Sequence, residues 1–123
     1  MIKKMLTLGF LLILGACTSS PGVFSDPSIP IVVLTGDRFT IELDSNMTTG
    51  YSWVFGSTMN ENILRLVNSD YIPQKSGLTG AGGVQIWVFE ALQPGTTSIT
   101  LKYERSWETE PPIRTADYTI HVK

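Results

Sequence analysis

The chain has 123 residues, 42% of them hydrophobic and 16% charged, the composition of one globular domain, and two independently folding domains are excluded. Nine Lys plus Arg stand against eleven Asp plus Glu with no run of like charge long enough to bind nucleic acid by counterion release, so a basic-patch function is disfavoured. With one Cys, Cys17, and one His, His121, neither an intrachain disulfide nor a Cys/His metal cluster can be assembled, and no cofactor is expected.

The first element is MIKKMLTLGFLLILGAC, residues 1–17. Lys3 and Lys4 precede an apolar core from Leu6 to Leu14, which is the pattern of an export signal. The core falls well short of the roughly 20 residues a helix needs to span a bilayer. Gly15 and Ala16 ahead of Cys17 resemble the lipobox of bacterial lipoproteins. That resemblance implies removal of residues 1–16, lipid on Cys17 and membrane anchoring on the periplasmic side or at the cell surface. Thr18, in place of an aspartate retention signal, implies the outer membrane in a double-membrane bacterium. The alternative is an ordinary secretory signal that leaves an exposed thiol. Lipidation would remove the only thiol able to act as a nucleophile beside His121. Without Lys3 and Lys4, seven basic side chains face eleven acidic ones, so anionic lipid should not attract the body.

Residues 17–30, dense in Ser, Pro, Gly and Asp, read as a lipidated terminus and tether with little to bury. Beyond it, residues 31–123 read as one β domain. Phe39, Ile41 and Leu43 alternate with polar neighbours, as do Ile99, Leu101 and Tyr103, which is the signature of half-buried strands. Further strands are expected at Ile31 to Leu34, Tyr51 to Phe55, Ile63 to Val67, near Tyr71, at Val84 to Glu90 and at Asp117 to Val122. Turn signals separate them at Thr35 to Asp37, Thr48 to Gly50, Gly77 to Gly83, Gln93 to Gly95 and Pro111-Pro112. Residues 60–67 also have some helical propensity, with Asn60 as a cap, but the strand reading is preferred. Seven or eight short strands point to an all-β fold, an antiparallel sandwich or barrel, and the immunoglobulin-like version of the sandwich needs no disulfide if its core is large enough.

Three interstrand segments carry more than a connector requires: Asn46-Met47-Thr48-Thr49-Gly50-Tyr51 followed by Ser52-Trp53, Gly80-Ala81-Gly82-Gly83, and Arg105-Ser106-Trp107. Each alone is weak. Asn, Thr and Gly are ordinary turn residues, a glycine run suits a flexible connection, and Trp107 has two options, to project or to fold over the core. A phosphate cradle is disfavoured for the glycines, because VQIWVF follows them instead of a Lys-Ser/Thr and a helix. Tyr51 and Trp53 share one face of their strand and are expected to pack in or near the core.

In this order, and over roughly residues 31 to 123, the three segments resemble the loops of the chagasin-type inhibitors of papain-like cysteine peptidases. The resemblance implies an immunoglobulin-like sandwich whose loops 46–51, 80–83 and 105–107 gather at one end and occlude a peptidase cleft, with no chemistry of the inhibitor's own. It implies Thr48 and Thr49 near the catalytic pair of the peptidase, residues 80–83 along the non-primed side, and Trp107 on an aromatic rim of the primed side, by a monomer. Met47 and Ser106 stand where the family usually has proline, which should loosen both loops. The alternative reading is a lipid-anchored immunoglobulin-like scaffold or adhesion module. Enzyme activity is disfavoured: a lone His in the strand-like DYTIHV is more often a strand residue than a base, and Glu108 and Glu110 read as a solvated pair.

Overall fold

A computed structural model describes residues 22–75 and 80–123. The export segment 1–16 and Cys17 lie outside the described residues, as do residues 76–79 of the glycine-rich connection. Eight strands run in chain order: β1 (Gly22–Phe24), β2 (Ile31–Val33), β3 (Arg38–Ser45), β4 (Ser52–Phe55), β5 (Leu64–Pro73), β6 (Gly83–Ala91), β7 (Gly95–Glu104) and β8 (Arg114–Val122). They form two four-stranded sheets, β1-β3-β6-β5 and β2-β8-β7-β4. β1 pairs parallel with β3 and β2 parallel with β8; the other neighbours are antiparallel.

The period-2 pattern determines which side chains meet between the sheets. Phe39, Ile41 and Leu43 of β3, Trp87, Phe89 and Ala91 of β6, Ile99, Leu101 and Tyr103 of β7, and Ala116, Tyr118, Ile120 and Val122 of β8 are all buried. Phe39 stacks on Phe89 with ring centroids 5.4 Å apart. This is the expected immunoglobulin-like sandwich, with alternating residues of both sheets interdigitated.

Two expectations change. Residues 22–24 belong to the fold rather than to a tether: Gly22 to Phe24 align with Phe39 to Ile41, Phe24 packs edge-on against Phe39, and the Tyr118 hydroxyl donates to the carbonyl of Ser25 at 2.7 Å. Three residues seemed to have little to bury, but edge pairing and one aromatic ring suffice. The segments at Ile63 to Val67 and near Tyr71 form one strand, β5, with a register shift between Leu66 and Asn68. The break in alternation there is a β-bulge in an edge strand, where Asn68, Ser69 and Asp70 are exposed. Residues 60–63 supply a turn before it: Asn60 accepts from the backbone N–H groups of Asn62, Ile63 and Leu64, and the strand then begins.

The topology sorts the connections between two poles. β3 ends where β6 begins, with Ser45 opposite Gly83, and β4 starts where β7 ends, with Ser52 opposite Glu104. The β3–β4 crossover, the β5–β6 hairpin and the β7–β8 hairpin therefore lie at one pole. The turns at 34–37 and 92–94, the start of β1 and the end of β8 lie at the other.

Candidate functional site

The middle loop of the first pole is built by Asn46. Leaving β3 with φ −120° and ψ 89°, it caps one 3-10 turn, Met47–Thr49. Its Oδ1 accepts from the Thr48 N–H at 3.2 Å and the Thr48 hydroxyl at 2.5 Å, while its carbonyl accepts from the Thr49 N–H at 3.1 Å and the Thr49 hydroxyl at 2.7 Å. Both threonine hydroxyls thus donate inward and brace the turn. Gly50 closes it with φ +87° and its N–H on the Met47 carbonyl. Met47 stands exposed on the crest.

The glycine segment leans on one flank of this loop. Asn46 Nδ2 donates to the Gly80 carbonyl at 3.1 Å, and the Gln74 N–H donates to the Gly82 carbonyl at 2.9 Å. A methyl at Gly82 would lie 3.1 Å from the Ser45 carbonyl oxygen, and one at buried Gly83 only 2.2 Å from that of Ile72. Gly82 and Gly83 therefore permit close backbone approach. Gly80, with φ +81° and open space around it, and half-buried Ala81 lie nearer the surface.

On the other flank, Arg105 to Glu108 form a turn closed by the Glu108 N–H on the Arg105 carbonyl, with Ser106 exposed at its second position. Arg105 Nε donates to the Thr49 carbonyl at 3.1 Å, its guanidinium lies 4.4 Å from the Tyr51 ring centroid, and Glu108 Oε2 is 3.4 Å from its Nη1. Trp107 projects, 68% exposed, and does not fold over the core. Its indole rests on Gly50, where an added methyl would lie 2.3 Å from Cη2.

The three segments are thus one ridge: residues 80–83, then 46–51, then 105–107, joined by Asn46 to Gly80, Arg105 to Thr49 and Trp107 on Gly50. An aromatic stack supports it. Tyr51 stacks on Tyr103 at 5.4 Å, Tyr103 packs against buried Trp53 at 5.0 Å, and Arg114 lies over Trp53 at 5.1 Å. Trp53 is buried in the core and Tyr51 packs against it, as expected, and from there both support the loop.

Sequence reasoning missed the residues under the ridge. The Tyr103 hydroxyl accepts from the Asn46 N–H at 2.9 Å, and the Gln85 carboxamide bonds to both Ser45 and Trp53. Gln85 was detectable, since it occupies the core-facing phase of β6 between Gly83 and Trp87, where a polar side chain must find partners. His121 lies towards the opposite pole, its Nδ1 3.1 Å from the Thr96 hydroxyl across the β7–β8 pair. Within the ridge no side chain is a Cys or His, so what it offers a partner is shape, backbone and hydrogen-bonding groups.

Comparison with known proteins gives the family and the fold. The profile described as chagasin family peptidase inhibitor I42 matches residues 32–122. Chagasin of Trypanosoma cruzi is 35% identical over 97 residues, covering 76% of this chain and 86% of that protein. Amoebiasin-1 of Entamoeba histolytica is 32% identical over 94 residues, covering 76% and 89%. The crystal structure of a cysteine protease inhibitor from Entamoeba histolytica superposes with a TM-score of 0.69 at 20% identity, over 83% of this chain and 96% of that one, and shares the fold. The chain belongs to the chagasin family of peptidase inhibitors.

Proposed function

We propose that the protein is a reversible, tight-binding inhibitor of papain-like cysteine peptidases that fills their active-site cleft with the ridge formed by residues 46–51, 80–83 and 105–107. The observation that carries this reading is the mutual bracing of the three segments. A ridge whose three segments are hydrogen-bonded and packed on one another loses less conformational entropy on entering a cleft than three separate loops would, so more of the contact energy appears as affinity. Exposed Trp107 and Met47, with the open backbone at Gly80, supply contact area, and an interface of about 1,600 Å² is the usual size for such complexes. Family membership supports the same reading.

The reading includes a location. Residues 1–16 direct export, Cys17 carries lipid, and the body faces the periplasm or the cell surface, in a double-membrane bacterium at the outer membrane. On this reading the lipid would lie near the pole opposite the ridge, because β1 starts there and five residue steps from Cys17 span at most about 18 Å. An anchor on Cys17 would hold that pole towards lipid and present the ridge to the aqueous side. Replacing Cys17 by Ser should release the protein from membranes into the soluble fraction.

The test is a titration of the chain from Thr18 onward against papain at fixed substrate, as a monomer and with the inhibitor checked for cleavage. Saturable loss of activity with intact inhibitor is expected. No inhibition of papain or of several related peptidases by the folded domain would favour a scaffold or adhesion role.

A further inference from the structure

We propose that Gln85 is a positioning residue for the ridge: its carboxamide ties the strand that leads into loop 46–51 to the strand that leads out of it. For its inhibition arm this rests on the function proposed above; its structural arm does not.

The loop leaves one sheet at Ser45, the end of β3, and joins the other near Trp53 of β4. Between two sheets the usual contact is apolar and non-directional, which does not fix how far the ends of β3 and β4 stand apart. Gln85, in β6 beside β3, supplies the missing direction. Its Oε1 accepts from the Ser45 hydroxyl at 2.8 Å and from the Trp53 N–H at 2.8 Å, and its Nε2 donates to the Trp53 carbonyl at 3.2 Å. The carboxamide meets the N–H and carbonyl of Trp53 as a neighbouring strand would, on the side of β4 that faces away from β7. Trp53 is held a third way, since its indole Nε1 donates to the Asp44 carbonyl at 2.9 Å.

Both feet of the loop are therefore fastened to one side chain. Within the loop, Asn46 sets the shape of the turn, whereas Gln85 sets the distance between its feet. This matters here because neither Met47 nor Ser106 fixes its own backbone φ as a proline would.

The test compares Gln85→Leu, which removes all three hydrogen bonds, with Gln85→Glu, which keeps the acceptor for Ser45 and Trp53. Amide hydrogen exchange of Thr49 and Gly50 is read against that of Ile120, and association and dissociation rates are measured with papain. For Gln85→Leu the loop amides should exchange at least about tenfold faster while Ile120 is unchanged, and association should slow about tenfold with dissociation little altered, as expected when fewer molecules hold the competent loop. Gln85→Glu keeps the acceptor but sets a carboxylate oxygen against the Trp53 carbonyl, so both readouts should fall between those of the parent and of Gln85→Leu. Loop amides that keep parental protection in Gln85→Leu overturn the proposal. So does loss of protection at Thr49, Gly50 and Ile120 in equal measure, which would make Gln85 a contributor to global stability alone. If the parent protein inhibits no peptidase, the function proposed above fails, and the exchange measurement still decides the role of Gln85.

Discussion

The indole of Trp107 covers the α-carbon of Gly50, so closely that a methyl group there would stand 2.3 Å from its Cη2 atom. An exposed tryptophan is thereby kept in one place by the absence of a side chain on the neighbouring loop. Gly50 also has φ +87°, where an L-residue is strained by about 1–2 kcal/mol. Gly50→Ala should therefore displace Trp107 and weaken papain inhibition at least about tenfold, while the melting temperature falls by roughly 5–15 °C with the fold retained. Inhibition constants and thermal melts on the same preparation test this; unchanged inhibition would show that the Trp107 placement is irrelevant to binding.

Trp107 itself should behave as an anchor. Truncating it to Ala removes an exposed aromatic from the ridge crest and leaves the core intact, so an affinity loss of about 2 kcal/mol or more, roughly thirtyfold, is expected with no loss of fold. Calorimetric titration against papain reads the loss, and far-ultraviolet circular dichroism the fold.

Met47 and Ser106 both have proline-compatible geometry. Met47 is the first residue after the Asn46 cap, where a helical turn accepts proline, and Ser106 is the second residue of the 105–108 turn, where proline is favoured. Met47→Pro and Ser106→Pro should each tighten inhibition by about 0.4–1 kcal/mol, a factor of roughly two to five, by narrowing the unbound loop ensemble. A weaker inhibitor from Met47→Pro would mean that the Met47 side chain contributes more contact than proline restores.

Arg105 should not be replaceable by lysine. Its Nε bond to the Thr49 carbonyl, made while the guanidinium carbon lies 4.4 Å from the Tyr51 ring centroid, uses the forked geometry of a guanidinium, which an ammonium group does not reproduce. Arg105→Lys should lower affinity about tenfold with little change in melting temperature. Equal affinity for the two proteins would limit Arg105 to its charge.

Stability should depend on Tyr118 at high pH. Burial, helped by the charge of Asp26, pushes its phenol up from 10.0 to about 12. The folded state holds this proton more tightly than the unfolded chain, so its contribution is fully present below about pH 10 and is lost as pH rises towards 12. The two-unit difference corresponds to about 2–3 kcal/mol. Urea midpoints at pH 9 and pH 12 should therefore fall further apart in the parent than in Tyr118→Phe, which lacks the ionisation; identical pH dependence would remove Tyr118 as the cause.

What the sequence by itself determined is local in origin. Alternation in β3, β7 and β8 selects which face is buried, because side chains on a strand repeat every two residues. Asn46, Thr48, Thr49 and Gly50 specify their turn, because the cap acts within three residues. Tertiary structure alone decided how the pieces meet. Arg105 reaches Thr49 over 56 positions of chain and Tyr103 reaches Asn46 over 57, distances at which no periodicity or propensity operates. The same holds for the pairing of β1 with β3, for the perch of Trp107 on Gly50, and for the two partners of Gln85. Those contacts exist because two sheets with buried inner faces can stack in few registers, and the register that fills the core also brings three separate loops to one pole.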